Sequence, residues 1–300
     1  RDFCLSRGLG DVYKRQTPDD SDYGLLELVL GFHPLTIEDI KQQNQRPKFE
    51  DYEDYSFVVL FGALDSQDDL TFVEHHLYVA PHYCVSVRRQ PALVIDELLE
   101  RVRKNGTREI RSVAPTYGYL VMDQIVDSMF GILDTIDIQV SHLLDTVVEG
   151  QSRVAFAAIP THMHQVSDLR RVLGAHQDLF MRLVSHVVSR GDSDVVLYYR
   201  DVYDHVIRQY DMVDSLRDLL SNAMDVSLAT VSNQLGVTVR ALTVISSLFL
   251  PLTFLTGFFG MNFGTLINSI ASPWAIAVGI GLMALSVIVQ LALFRRRGWI

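Results

Sequence analysis

Near the C-terminus, a set of apolar residues with small and polar residues among them recurs at regular spacing. They follow one another at steps of three and four, a spacing that places them on one face of a helix. This face, which we call the stripe, consists of Asp225, Leu228, Ser232, Leu235, Val239, Leu242, Ser246, Leu250, Thr253 and Gly257. In lipid, the polar side of a helix should turn toward protein or water rather than toward acyl chains. The residues alone leave two interpretations open: the wall of an aqueous path, or a seam where small residues let helices approach closely.

Two uncharged segments position this stripe. The first runs from Ala241 to Phe259, and the second runs from Ala275 to Phe294. Either is long enough to cross a hydrocarbon core of about 30 Å at about 1.5 Å per residue. The link between them, Gly260 to Pro273, is uncharged and too short to form a folded domain. The pattern predicts a helical hairpin in the membrane.

The charges that flank the two segments predict their orientation. Arg240 precedes the first segment, and Arg295, Arg296 and Arg297 follow the second. Positive residues are retained on the cytoplasmic side of a membrane. We therefore expect a multi-pass protein of the inner or plasma membrane with both termini in the cytoplasm.

The composition excludes several classes of function. The formal net charge is −10, and the hairpin carries only positive charges, so the rest of the chain is acidic. Such a charge argues against a nucleic acid partner and is compatible with divalent cations. Two cysteines are too few for a thiolate metal site. No nucleotide-binding G-x-x-x-x-G-K-[ST] motif and no nucleophile–base pair stands out, so we expect neither an enzyme nor an organic cofactor.

The remaining sequence predicts three further regions. We expect residues 1–16 to be foreign sequence, because they read unlike the rest of the chain. Residues 17–111 predict an α/β cytosolic domain with strands at 56–64, 72–80 and 83–87, a polar turn at 65–70, a helix at 92–105 and a short helix capped by Thr36. From residue 112 the apolar period becomes helical, which predicts long helices at 117–149, 161–190 and 193–257 as a stalk up to residue 240, before the hairpin at 241–300.

A short motif at the outer end of the first apolar segment points to a family. Gly260-Met261-Asn262 follows that segment directly, and HPLTIEDI (33–40), QRPKFEDYEDY (45–55), YYRDVYDH (198–205) and the terminal RRRGWI agree with it. From residue 17 to its end, the chain resembles the CorA family of magnesium transporters. The resemblance implies an α+β membrane protein: an N-terminal α/β cytosolic domain, a long-helix funnel and two C-terminal transmembrane helices, assembled as a homopentamer.

The resemblance also implies roles for individual residues. It implies potential-driven uptake of Mg²⁺ through a central pore that cytosolic Mg²⁺ closes. Gly260, Met261 and Asn262 would form the selectivity filter. The residues lining the pore would be Gly257, Thr253, Leu250, Leu242, Val239, Gly236 and Asp225. Asp201 would bind regulatory Mg²⁺ with a partner from Asp65, Asp68 or Asp69.

The sequence departs from the family at the outer end of the pore. Phe259 stands where the family has tyrosine, and the outer link lacks the acidic residues of many members. A zinc or cobalt/nickel transporter of the same superfamily is therefore one alternative, and a membrane-anchored coiled-coil scaffold without transport is another. His75-His76 and His162-Met163-His164 are the candidate zinc ligands, but we expect both groups to be solvated surface.

Overall fold

The computed structural model describes the chain except residues 1–10, 17, 19, 44, 67–68, 82, 90–94, 96–97, 99–113, 149–151, 192, 262–272 and 300. The strands are β1 (Asp11–Gln16), β2 (Lys48–Asp51), β3 (Ser56–Ser66), β4 (Asp69–Val79) and β5 (Tyr83–Arg88). The helices are α1 (Asp20–Leu28), α2 (Pro34–Gln42), α3 (Ala114–Val148), α4 (Ser152–Arg190), α5 (Ser193–Phe259) and α6 (Pro273–Arg296). The chain divides into two compact units, residues 1–224 and residues 225–300, which we call unit 1 and unit 2.

The five strands of unit 1 form one sheet in the order β1-β5-β4-β3-β2. β1 runs parallel to β5, and all other neighbours are antiparallel. Alternate residues of β3 enter different cores, as the period of two in a strand requires. Val58 and Leu60 pack against α3, while Phe57 and Val59 pack against α1 and α2. The sheet therefore lies between two helical layers.

A third core lies among the three long helices of unit 1. Apolar residues of α3, α4 and the first part of α5 meet there, including Leu133, Leu169 and Leu216, none more than 2% exposed. α4 begins nine residues before its predicted start at residue 161 and contains Pro160. Ile159 is 1% exposed in this core, so its burial offsets the backbone hydrogen bond that the proline cannot make.

Unit 2 consists of the later part of α5 and of α6. Both helices are long and apolar enough to cross a membrane, and no residue in the most apolar window of α5 is buried. A core helix of a soluble protein would show the opposite burial. Gly279 of α6 lies beside α5, since a Cβ at Gly279 would be 3.7 Å from the ring of Phe259. The two helices therefore approach each other at this point, and the hairpin over residues 241–300 stays a prediction.

Several local predictions differ from the structure. The fold includes Asp11–Gln16 as a strand, six residues before the predicted start at residue 17; that residues 1–16 are foreign stays a prediction. The predicted turn at 65–70 is shorter, because Asp65 pairs with Leu70 and Ser66 pairs with Asp69 in the ladder. Apart from the helical residues Ile95 and Leu98, the predicted helix at 92–105 lies outside the described residues.

The cap of α2 was also predicted wrongly. The helix begins at Pro34, and the ring of His33 accepts the backbone N–H of Leu35 at 3.2 Å. Thr36 lies inside the helix, where its hydroxyl donates to the carbonyl of His33 at 2.8 Å and accepts from Tyr78. Proline suits the first turn of a helix because its missing N–H has no partner there in any case.

Candidate functional site

The stripe lies on the exposed surface of α5 in unit 2. All ten of its residues, and Gly236 beside them, are exposed in the single chain. Even the large apolar members are open, with Leu250 at 76% and Leu242 at 64% exposure. In the part of the chain that the structure describes, nothing covers this face.

The opposite face of α5 is partly buried, and its residue Phe259 lies against Gly279 of α6. Partly buried residues recur there at helical spacing: Val244, Ser247, Leu248, Pro251, Leu252, Leu255 and Phe259. At about 100° per residue, the centre of this face and the centre of the stripe lie about 170° apart. The stripe therefore points away from α6, and among the described residues of unit 2 none covers it.

Hydroxyl and carbonyl oxygens give the outer half of the stripe its chemistry. The hydroxyl of Thr253 donates to the carbonyl of Phe249 at 2.9 Å, so its remaining lone pairs can only accept hydrogen bonds. Gly257 has no side chain to cover the backbone, and a Cβ there would meet nothing within 4 Å. A hydrated cation presents water hydrogens, and acceptors of this kind are what those hydrogens need.

α5 ends where the predicted selectivity filter begins. Gly260 donates its N–H to the carbonyl of Thr256 at 2.9 Å, and Met261 donates to Phe258 at 3.3 Å. A Cβ at Gly260 would lie 3.1 Å from the Thr256 carbonyl oxygen, so glycine keeps this helix end uncrowded. The C-terminal end of a helix carries a partial negative charge that favours cations. Asn262 lies outside the described residues, and its role stays a prediction.

A second group of possible cation ligands lies in unit 1, between α3 and α5. The Nδ1 atom of His205 is 2.9 Å from a carboxylate oxygen of Asp127 and 3.8 Å from one of Asp123. One ligand atom from each of the three side chains falls within 4.8 Å of the others. We call this group the α3–α5 cluster. Two carboxylates and one imidazole suit a divalent cation.

Neighbouring contacts hold the α3–α5 cluster in place. The ring of His205 packs edge-on against Phe130 with centroids 5.8 Å apart. One turn further along α5, the buried amide of Gln209 donates to the carbonyl of Val126 at 2.7 Å. This hydrogen bond joins α5 to α3 at a residue that lies between Asp123 and Asp127 in the chain. The ligand groups are therefore presented by helices rather than by loops.

Asp201 shares the negative field of this cluster. It is exposed on α5, one turn before His205. Burial raises the pKa of the nearby Tyr119 hydroxyl to about 12, and the charges of Asp123, Asp201 and Asp127 add to the effect. Since three carboxylates raise the pKa of this tyrosine, the same charges would stabilise a positive ion placed there.

The side chains of the three predicted partners of Asp201 lie outside the described part of the chain. Asp65 and Asp69 lie at the facing ends of β3 and β4, their side chains are not among those described, and Asp68 lies outside the described residues. The pairing stays a prediction.

The α3–α5 cluster was missed by sequence reasoning, although two signals were present: Asp123 and Asp127 are four residues apart, and so are Asp201 and His205.

The first pair of candidate zinc ligands is not solvated, so that prediction was wrong. His75 and His76 are 2% and 1% exposed. Burial, assisted by the charge of Arg88, lowers the pKa of His75 to about 3. His76 lies 3.1 Å from Glu74. His162 and His164 belong to no group of three close ligand atoms among the described residues.

Comparison with known proteins agrees with this architecture. The family profile of the CorA-like Mg²⁺ transporter proteins matches residues 13–296. The cobalt/magnesium transport protein CorA of Thermotoga maritima is 29% identical over 272 residues, which cover 90% of this chain and 77% of that protein. The zinc transport protein ZntB of an Enterobacter species is 25% identical over 224 residues, which cover 73% of this chain and 66% of that protein.

The same fold occurs in a solved structure. The complete structure of the CorA magnesium transporter from Methanocaldococcus jannaschii matches 96% of this chain and 90% of its own, with a TM-score of 0.83 and 20% identity. It shares the soluble N-terminal region, the long helix and the two C-terminal apolar helices. Since the family profile spans nearly the whole chain, this membrane protein belongs to the CorA-like Mg²⁺ transporter family and is a transporter of divalent cations rather than an enzyme.

Proposed function

We propose that copies of this chain assemble as a homopentamer around an axial pore, and that hydrated Mg²⁺ passes through this pore into the cytoplasm. The position of the stripe on α5, exposed and opposite α6, carries the proposal. A face with the hydroxyls of Ser246 and Thr253 inside a membrane span is poorly solvated by acyl chains. Closing five such faces around an axis removes them from lipid and leaves a path for water and ions.

The residues of the stripe suit an ion that keeps its water. Mg²⁺ loses its water reluctantly and prefers six oxygen ligands in octahedral geometry. Five Asn262 side-chain carbonyls, with backbone carbonyls at Gly260 and Met261, would bind the hydrated ion at the outer mouth. Thr253 and Gly257 would supply further acceptors below it.

The inner half of the stripe suits a gate. Leu250, Leu242 and Val239 would form apolar constrictions that close by dewetting. Gly236 widens the path below them, and Asp225 would form an acidic ring at the cytosolic end. No acidic side chain lies between Asp225 and Asn262 on this face, so the path contains no group that would hold a divalent ion tightly.

The ligand types favour Mg²⁺ over zinc. Zinc prefers nitrogen and sulfur ligands, and the stripe contains neither histidine nor cysteine. Co²⁺ and Ni²⁺ also form octahedral hydrates, and we expect them to compete with Mg²⁺ for this path, whereas the path offers Zn²⁺ none of its preferred nitrogen or sulfur ligands. A flux assay in proteoliposomes comparing the four ions tests this order, and faster Zn²⁺ than Mg²⁺ flux would contradict it.

The membrane potential supplies the driving force. Arg240 and Arg295–297 favour an orientation with both ends of the hairpin in the cytoplasm. A potential of about 100 mV then contributes about 4.6 kcal/mol for inward movement of a divalent ion. No nucleotide hydrolysis is needed for uptake on this scale.

Regulation would use the α3–α5 cluster together with Asp201. Cytosolic Mg²⁺ bound by the carboxylates of Asp123 and Asp127, with His205 accepting a hydrogen bond from one of its waters, would stabilise the closed arrangement. Asp201 and an acidic residue of the β3–β4 connection on an adjacent copy would complete the site. Asp201→Ala should then raise the Mg²⁺ concentration that inhibits flux. Equal inhibition of the variant and the parent would reject this role for Asp201.

Cysteine accessibility tests the pore assignment directly. In a background with Cys4→Ala and Cys84→Ala, we expect a positively charged thiosulfonate reagent to block Mg²⁺ flux through Thr253→Cys. The matched control is Leu248→Cys, on the α6-facing side of the same helix, which should retain its flux. Equal sensitivity of the two variants would refute the assignment of the stripe to a pore wall.

Asn262→Ala should abolish flux while leaving the oligomer intact on size-exclusion chromatography.

A further inference from the structure

The C-terminal end of α6 is a fixed basic cap rather than a loose tail. Gly298 adopts φ +65°, its N–H donates to the carbonyl of Arg295 at 3.2 Å, and the N–H of Trp299 donates to Phe294 at 3.0 Å. This pair of hydrogen bonds is the Schellman arrangement that ends a helix. The ring of Trp299 then stacks on Phe294 with centroids 5.7 Å apart. The three arginines before Gly298 are thereby held on an ordered turn.

Arg240 of α5 lies at the same level of the hairpin. Phe259 contacts Gly279 at the other end of the two helices. Arg240 precedes Phe259 by as many residues as Gly298 follows Gly279, so both chains descend about 28 Å from that contact. Arg240 lies one turn before Val244, on the side of α5 that faces α6 and away from the stripe. Four guanidinium groups therefore gather at one end of unit 2.

These four groups are available for a ligand. Arg240, Arg295, Arg296 and Arg297 are all exposed. None of them forms an ion pair with any residue that the structure describes. Each guanidinium can bind a phosphate with two parallel hydrogen bonds.

We infer that this basic cap binds the phosphate headgroups of anionic phospholipids in the cytoplasmic leaflet. The distance of about 28 Å from the Phe259 contact matches the hydrocarbon thickness of about 30 Å, so the guanidinium groups reach the level of the headgroups. The indole of Trp299 is 36% exposed beside them and suits the boundary between acyl chains and water. A soluble phosphate would gain nothing from this apolar surround, whereas a phospholipid places its phosphate and its acyl chains on the two parts of the surface together.

Native mass spectrometry of the full chain in detergent tests the inference. The protein would be incubated with equal amounts of phosphatidylglycerol and phosphatidylcholine, and the bound lipids counted. We expect enrichment of phosphatidylglycerol in the parent. We expect Arg295→Gln/Arg296→Gln/Arg297→Gln to lower that enrichment by at least about tenfold, because each guanidinium near the surface is worth roughly fivefold in affinity for anionic lipid.

Three comparisons make the result decisive. The control variant Arg182→Gln/Arg200→Gln/Arg217→Gln removes the same charge from exposed positions of unit 1 and should leave the lipid ratio unchanged. Millimolar inorganic phosphate should not displace the lipid; full displacement would assign the cap to free phosphate and overturn the inference. An unchanged lipid ratio in the cap variant, with or without loss of the oligomer, would also overturn it and point to contacts between copies. Lipid counting does not depend on ion flux, so failure here leaves the proposed transport function untouched.

Discussion

Replacing His176 by glutamine should flatten the acid side of the stability profile of unit 1. His176 is fully buried on α4, and its Nε2 atom accepts the backbone N–H of Phe61 at 3.0 Å. β2 pairs with β3 only as far as Val59, so the imidazole supplies the acceptor that β2 does not provide. Burial lowers the pKa of His176 to about 3, because the charged form would lose its solvation.

The size of the effect follows from this pKa. The pKa of the folded state lies below the ordinary value of 6.5, so between these values the unfolded chain binds a proton that the folded chain excludes. The contribution of neutral His176 to the free energy of unfolding is therefore fully present above about pH 6.5 and falls as the pH drops toward 3. Between pH 7 and pH 5, one such histidine lowers the free energy of unfolding by about 2 kcal/mol. His75, with a pKa also lowered to about 3 by burial, should cost as much again.

Urea unfolding of the full chain at pH 7 and pH 5 measures this difference. The parent should lose about 4 kcal/mol from the two histidines, and His176→Gln should lose about 2 kcal/mol. Glutamine keeps an acceptor for the Phe61 N–H but does not titrate, so the comparison isolates the proton. His164→Gln, at an exposed position, is the control and should match the parent. If the pH-dependent loss of His176→Gln equals that of the parent, the reasoning from burial to proton exclusion is wrong.

Two further predictions concern the cluster and the packing that positions it. Asp127→Asn should weaken Co²⁺ binding, followed by the visible absorption of the metal, by at least about tenfold; unchanged affinity would exclude Asp127 as a ligand. Gly118→Val should lower the free energy of unfolding by about 1–3 kcal/mol in urea, because a Cβ at Gly118 would lie only 2.9 Å from Val79, and wild-type stability in the variant would show that α3 can move off β4.

The parts of the fold that depend on periodicity were predictable from the sequence. The apolar spacing predicted α5 from residue 193 to 257, and the structure gives Ser193–Phe259. Pro251 lies inside it without ending it, as a helix in a membrane can tolerate. The second apolar segment was predicted from 275 to 294 and runs from Pro273 to Arg296. A long repeat leaves little choice of register, so the exposed stripe followed from the same pattern.

The features that depend on tertiary contact were not predictable. Asp123 and Asp127 read as ordinary surface residues of a helix until α5 brings His205 to within 2.9 Å of one of them. His75 and His76 were predicted to lie on the surface. As adjacent residues of a strand they face opposite sides of the sheet, and helices cover both sides, so both are buried. His33 caps α2 through a ring nitrogen, a choice that the preference for Ser, Thr, Asp and Asn at this position does not suggest.

The two proposed cation sites separate two demands that one site could not meet. Conduction requires that the ion bind strongly enough to enter and weakly enough to leave. The stripe between Asp225 and Asn262 has hydroxyl and backbone oxygens but no charge, so an ion there would keep its water and move on. The α3–α5 cluster has two carboxylates and an imidazole within 4.8 Å, and its negative charge would hold an ion that keeps part of its water. A sensor of cytosolic Mg²⁺ must retain its ion for as long as the concentration stays high, so the charged ligands belong on the cytosolic helices and would obstruct transport if they lined the path.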